Sequence, residues 1–144
     1  MSRPLTAAPD EKSASDDPAR IVEAYLTASM VPDPDTARTY LAPDVVITFT
    51  GGRRFRDPSE TAGFNAQRYK WVKKKFERTD VCPGADETIV YNIGTLYGEW
   101  PGGQPFSGNR YVDRFVVRGG KIVKMDVWND SAEILLIRAG VAAA

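Results

Sequence analysis

The segment NRYVDRFVVRGGKIVKMDVWND, residues 109–130, decides the fold class of this chain. Two runs rich in β-branched and aromatic residues flank Gly119-Gly120, a pattern typical of antiparallel strands joined by a tight turn. Side chains alternate between the two faces of a strand. One face of the first run therefore carries an apolar row that includes a single carboxylate: Tyr111, Asp113, Phe115 and Val117.

The register of this hairpin depends on the length of its turn. A two-residue turn would place Asp113 beside Asp126, which is an unfavourable pair of like charges. A three-residue turn that ends at Gly120 keeps one face apolar, and we predict this register. Its pairs are Phe115 with Val123, Asp113 with Met125, and Tyr111 with Val127.

Three Asp-Pro pairs predict helix starts, because aspartate caps a helix and proline suits its first position. They are Asp17-Pro18, Asp33-Pro34 and Asp57-Pro58. The second helix is short and ends at Pro43, and the third extends from Ser59 to about Val72. A last short helix begins at Asp130 or Ser131.

Strand patterns occupy most of the remaining chain and are bounded by glycine and proline turns. They cover residues 45–50, 75–82, 88–100, 106–118 and 122–129. Three helices in the N-terminal half, followed by consecutive hairpins, predict an α+β fold with an antiparallel sheet. We expect one domain over residues 17–138, a disordered tail over 1–16 and a C-terminal tail over 139–144.

Composition excludes several classes of function. Lysines and arginines (19) balance aspartates and glutamates (19), so no net charge attracts nucleic acid or an anionic membrane. The chain has no histidine and one cysteine, so we expect no metal, no cofactor and no histidine-activated nucleophile. It shows no signal-peptide core and no apolar run that could span a membrane, and we expect a cytoplasmic protein.

Asp113 is the residue that most strongly indicates a site. Desolvation on the apolar face should raise the pKa of its carboxyl, and a neutral carboxyl can donate a strong hydrogen bond. Two structural interpretations stay open. Asp113 could satisfy a nearby arginine or tyrosine inside the fold, or it could lie where the sheet opens to solvent.

Two segments resemble a known family: Tyr40-Leu41-Ala42-Pro43-Asp44 before a strand, and Phe115-Val116-Val117-Arg118-Gly119-Gly120-Lys121-Ile122. Together with the element order, they look like the SnoaL-like and ketosteroid-isomerase-like branch of the nuclear transport factor 2 superfamily. The resemblance covers residues 17–136. It implies a cone-shaped curved sheet closed by helices, a cystatin-like α+β barrel that is often dimeric through the outer face of the sheet.

The resemblance also implies site residues. Tyr25 and Asp113 stand where the isomerases carry two oxyanion-hole donors. Phe49 stands where their catalytic aspartate would be, and the histidines of the related cyclases and dehydratases are missing. Whether the protein is an enzyme is therefore left open. We expect a ligand-binding set of Phe49, Tyr69, Tyr111, Phe115, Met125, Val127 and Asn129 around the two donors.

These observations predict a pocket for a small, hydrophobic carbonyl or enol compound. The corresponding activity would be a cofactor-independent isomerase, dehydratase or cyclase. The alternative is a non-catalytic ligand-binding or dimerisation module. The outer face of the sheet carries an apolar set that we assign to a homodimer interface. Its members are Val112, Val116, Ile122 and Trp128.

The lysine run from Lys70 to Lys75 has two interpretations. Together with nearby arginines it could contact nucleic acid, but no recognition motif accompanies it. We interpret it as a solvated helix end, where lysines interact favourably with the helix dipole.

Overall fold

The computed structural model describes residues 17–144, so the predicted tail over residues 1–16 lies outside the described residues. Four helices are α1 (Pro18–Met30), α2 (Pro34–Arg38), α3 (Pro58–Arg68) and α4 (Ser131–Arg138). Six strands are β1 (Leu41–Thr48), β2 (Arg54–Phe55), β3 (Trp71–Pro83), β4 (Thr88–Glu99), β5 (Pro105–Arg118) and β6 (Lys121–Asn129). A short 3-10 helix, Thr50–Gly52, joins β1 to β2.

The three Asp-Pro helix starts are confirmed. The Asp17 carboxylate accepts from the backbone N–H of Ala19, and Asp33 accepts from that of Thr36. Asp57 caps α3 in a reciprocal capping box with Glu60. Each cap satisfies a backbone donor that has no partner within the helix.

The α+β class and the curved sheet are confirmed, but the sheet is mixed rather than wholly antiparallel. Its strand order is β2-β1-β6-β5-β4-β3. β1 pairs parallel to β6, whereas the other neighbours are antiparallel. The helix α3 and the strands that follow it separate β1 from β6 along the chain, which gives room for a parallel crossover.

Two predicted boundaries were wrong. α2 ends at Arg38 rather than at Pro43, and Pro43 lies within β1, which begins at Leu41. The β1–β6 register shifts between Leu41 and Val46, so Pro43 occupies an irregular stretch that tolerates its missing N–H. α3 ends at Arg68 rather than near Val72.

The interpretation of the lysine run was also wrong, because Lys73, Lys74 and Lys75 belong to β3 and not to a helix end. Tyr69 follows α3 in an extended conformation, and Trp71 starts the strand. Alternation along β3 then exposes Lys73 and Lys75 and turns Lys74 inward. This reversal brings a cation into the interior.

The predicted β5–β6 register was wrong by two residues. Gly119 and Gly120 form a two-residue turn with φ of 58° and 78°, which glycine adopts without steric cost. Val123 is then an extra residue in β6, so that Asp113 lies opposite Val127. An extra residue in the strand and an extra residue in the turn both keep the same apolar face toward the core. The hydrophobic pattern alone therefore does not distinguish these two registers.

Because of the bulge at Val123, the β6 residues that precede it face the side opposite to the one that simple strand alternation predicts. Ile122 is therefore fully buried in the core, and its predicted place on the outer face is wrong. Val116, beside the bulge, is buried as well. Trp128 remains on the outer face and is 54% exposed.

Candidate functional site

One cavity of about 140 Å³ lies between α1, α3 and the inner face of the sheet. Its wall is more apolar than polar. Helix α1 contributes Tyr25 and Leu26, and β6 contributes Met125 and Val127. An apolar cavity of roughly 150 Å³ holds one benzene-sized molecule. A cavity of this volume accommodates a ligand with one ring.

Tyr25 reaches the cavity from α1, where its neighbours at helical spacing, Ile21 and Val22, pack into the core. Its ring meets Phe115 edge to face, with 6.1 Å between the ring centroids. Burial raises the pKa of Tyr25 to about 12, Ser29 partly offsets this shift, and the Asp113 carboxyl adds to it. The phenol is therefore protonated at neutral pH and able to donate.

Asp113 lies behind the cavity wall rather than on it. Its side chain is 0% exposed, and the ammonium of Lys74 lies 2.7 Å from Oδ2. Apart from this contact with Lys74, neither carboxyl oxygen has a hydrogen-bond partner within residues 17–144. Burial raises the pKa of this carboxyl above its ordinary value, although Lys74 opposes the shift.

Tyr25 and Asp113 are not hydrogen-bonded to each other in the part of the chain that the structure describes. Of the two predicted oxygen-binding donors, Tyr25 thus lies on the cavity wall and Asp113 lies in the layer behind it. Lys74 stands between these layers, since it lines the cavity and contacts Asp113.

Lys74 is the functional candidate that sequence reasoning missed. Its side chain is 17% exposed, and its ammonium lies 4.0 Å from the centroid of the Tyr111 ring. The signal was present in the alternation of Val72, Lys74 and Phe76, which places a lysine on a partly apolar strand face. Assigning Val72 to a helix and Lys74 to its solvated end concealed it.

Tyr111 is buried behind the wall and belongs to a polar chain rather than to the cavity surface. Its hydroxyl donates to Asn92 Oδ1 at 2.5 Å, and Asn92 Nδ2 donates to Thr79 Oγ1 at 3.1 Å. Thr79 in turn donates to Glu23 on α1 at 2.8 Å. These hydrogen bonds connect α1 to three strands and fix the Tyr111 ring, against which the Lys74 ammonium packs.

A second polar corner lies where β6 meets α4. Tyr69 donates to Ser131 Oγ at 2.7 Å, and Asn109 Nδ2 donates to the same oxygen at 3.3 Å. The side-chain oxygen of Asn129 accepts from the backbone N–H of Ser131 at 3.0 Å. Asn129 therefore supplies a hydrogen bond at the start of α4, whereas the Asp130 carboxylate pairs with Arg110.

The remaining predicted ligand contacts divide into two groups. Phe49, Tyr69, Met125, Val127 and Asn129 line the cavity, whereas Phe115 lies in the core behind Tyr25. Phe49 also packs edge to face on Phe55 and Phe64, each at 5.4 Å between centroids.

No group of three or more histidine, cysteine or carboxylate side chains with metal-binding geometry occurs within residues 17–144. The single cysteine, Cys82, is exposed near the end of β3 and away from the cavity. No helix in this part of the chain is long and apolar enough to cross a membrane.

Comparison with known proteins agrees with this architecture. A family model described as SnoaL-like domain matches residues 22–125. A search of curated proteins found no match to the sequence.

Several solved structures share the fold. An NTF2-like protein of unknown function from Burkholderia pseudomallei K96243 is 19% identical, with a TM-score of 0.64, covering 85% of this chain and 96% of its own. A proposed SnoaL-like polyketide cyclase from Jannaschia sp. CCS1 is 16% identical, with a TM-score of 0.63 and coverages of 85% and 90%. A protein with a ketosteroid isomerase-like fold from Catenulispora acidiphila DSM 44928, solved with trimethylamine, is 18% identical, with a TM-score of 0.63 and coverages of 85% and 94%. At these identities the likeness concerns the fold alone.

Proposed function

Because this chain belongs to the SnoaL-like domain family, we propose that it is a pocket protein for a small, mainly apolar carbonyl or enol compound. The observation that carries this proposal is the protonated phenol of Tyr25 on the wall of an otherwise largely apolar cavity. A donor in apolar surroundings selects a ligand that has one oxygen acceptor on a hydrophobic body. The volume of about 140 Å³ supports a monocyclic ligand.

Binding of acetophenone, compared with ethylbenzene, tests this proposal. The two molecules have similar size, but only the ketone has an acceptor. Wild-type protein should bind the ketone more tightly in a calorimetric or NMR titration. Tyr25→Phe should reduce the ketone's advantage about two- to tenfold, the worth of one net hydrogen bond.

Tyr40→Phe is the matched control, because Tyr40 packs against the core and does not line the cavity. It should leave both affinities unchanged. Equal binding of the two ligands by wild type, or an unchanged preference in Tyr25→Phe, would contradict the proposed role of Tyr25.

The reaction class that fits this pocket is proton transfer next to the ligand's carbonyl, with Tyr25 stabilising the enolate oxygen. A non-catalytic module is the second candidate. It is favoured by Asp113, which lies behind the wall and pairs with Lys74, and by Phe49, which supplies no base. Exchange of the acetophenone methyl protons in D2O, followed by NMR, separates the two. Acceleration by wild type that Tyr25→Phe lowers indicates an enzyme, and binding without exchange indicates a module that only holds its ligand.

A further inference from the structure

The charges on the cavity wall are all of one sign. Three cationic residues line the cavity, Arg68, Lys73 and Lys74, and no aspartate or glutamate of residues 17–144 does so. Strand alternation directs the exposed Lys73 side chain to the opposite face of β3, which leaves two cations to act on a ligand.

Arg68 is held in place without an anionic partner. Its guanidinium lies 4.3 Å from the centroid of the Phe64 ring, and both residues lie on α3 and line the cavity. Within residues 17–144, Arg68 forms no ion pair. A guanidinium fixed on an aromatic face retains a planar set of N–H donors that match a carboxylate.

Lys74 is likewise fixed by its surroundings. The Tyr111 ring and the Asp113 carboxyl hold the ammonium from behind the wall. An ammonium has three N–H donors, and the contact with Asp113 Oδ2 occupies one of them. The remaining donors are available to a ligand in the cavity.

Two neutral polar groups of the wall can also donate. The oxygen of Asn129 is engaged by the backbone N–H of Ser131, so its amide nitrogen is the atom left to bind a ligand. The Ser131 oxygen accepts from Tyr69 and from Asn109, so its own proton remains to be donated. Cations and donors on a wall that has no carboxylate complement a ligand rich in acceptors.

We propose that the ligand is an anion, a monocyclic aromatic or cyclic keto acid whose carboxylate or enolate is bound by Arg68 and Lys74. This inference rests on the proposed function and narrows its ligand class. An anionic ligand explains why a largely apolar pocket contains cations that have no carboxylate partner on its wall.

Three ligands with one ring test the sign of the charge: benzoate, neutral benzamide and cationic benzylammonium. Wild-type protein should bind benzoate at least about tenfold more tightly than benzamide, and benzylammonium should bind weakest. The benzoate affinity should fall as salt rises, because screening weakens the ion pairs.

Arg68→Gln and Lys74→Met should each remove most of the benzoate preference while acetophenone still binds. Lys75→Gln is the matched control, since Lys75 neighbours Lys74 on the same strand but is exposed and does not line the cavity. It should leave benzoate binding unchanged. If Lys74→Met fails to fold, Arg68→Gln alone decides, because Arg68 makes no buried ion pair.

The outcomes separate the two proposals. Binding of acetophenone without preference for benzoate over benzamide overturns the anion inference and leaves the proposed function standing. Preference for benzylammonium also overturns it. Failure of every ligand, acetophenone included, overturns both.

Discussion

The ionisation of Asp113 is the question that matters most at the scale of single residues. The carboxyl is completely buried and raised in pKa by that burial, while Lys74 at 2.7 Å favours its ionised form. Burial is the larger of the two effects. The folded state therefore favours the neutral carboxyl more strongly than the unfolded state does.

The effect of Asp113→Asn on the free energy of unfolding should therefore depend on pH. The stabilisation due to protonation is complete below the unfolded pKa of about 3.9 and is lost as pH rises through the higher folded pKa. The neutral Asn variant escapes this loss. At pH 7 it should be as stable as wild type or about 1 kcal/mol more stable, and its advantage should shrink toward pH 4. Urea denaturation across this pH range measures the difference.

Asp126→Asn is the control, because Asp126 lies on the opposite face of the same hairpin. It should show no comparable gain at pH 7. A loss of roughly 3 kcal/mol or more in Asp113→Asn at pH 7 would instead mean that Asp113 is ionised in a structural ion pair with Lys74.

Among the secondary-structure elements, β4 determines how closely β3 approaches the rest of the sheet. Gly94 and Gly98 lie opposite Phe76 and Val72 of β3. A Cβ at either glycine would meet backbone atoms of β3, at Lys75 and Trp71 respectively. These glycines let β3 approach closely and bring Lys74 to the cavity.

Gly94→Ala should therefore destabilise the protein by about 1–3 kcal/mol, since the clash is with backbone and not with a flexible side chain. Gly63→Ala, in the exposed part of α3 with open space around it, should stabilise by about 0.5–1 kcal/mol. Thermal unfolding monitored by circular dichroism measures both. Similar effects of the two substitutions would show that close packing at Gly94 is not what determines the strand geometry.

The outer face of the sheet bears on the assembly of the whole molecule. Ile93, Val112 and Trp128 form a cross-strand row on that face, and Trp128 is more than half exposed. Arg110 and Asp130, paired at 2.7 Å, lie beside this row. An apolar row rimmed by both signs of charge suits a self-complementary contact, so a homodimer through this face stays our prediction.

Trp128→Arg should convert this dimer to a monomer at micromolar concentration, as measured by sedimentation equilibrium. The mutant should remain folded, because Trp128 is not part of the core. Leu136→Arg, at an exposed position of α4, should not change the mass. A dimer lost only in Leu136→Arg, or a wild-type monomer, would contradict an interface on the sheet.

Much of this molecule could be predicted from local patterns. Asp-Pro pairs located the helix starts, glycine pairs located the turns, and alternation along β5 placed Asp113 on the buried face. Each of these features depends on a few neighbouring residues, whose chemistry is the same before and after folding. The sequence by itself therefore determined the α+β class and the buried carboxyl.

The tertiary structure alone decided the rest. The bulge at Val123, which buries Ile122, and the parallel pairing of β1 with β6 depend on how distant segments meet. The same holds for Lys74, which becomes the partner of Asp113 only when β3 folds across β4 and β5. Contacts between residues far apart in the chain leave no periodic signal in either segment, so the cation that completes this site emerges only from the folded sheet.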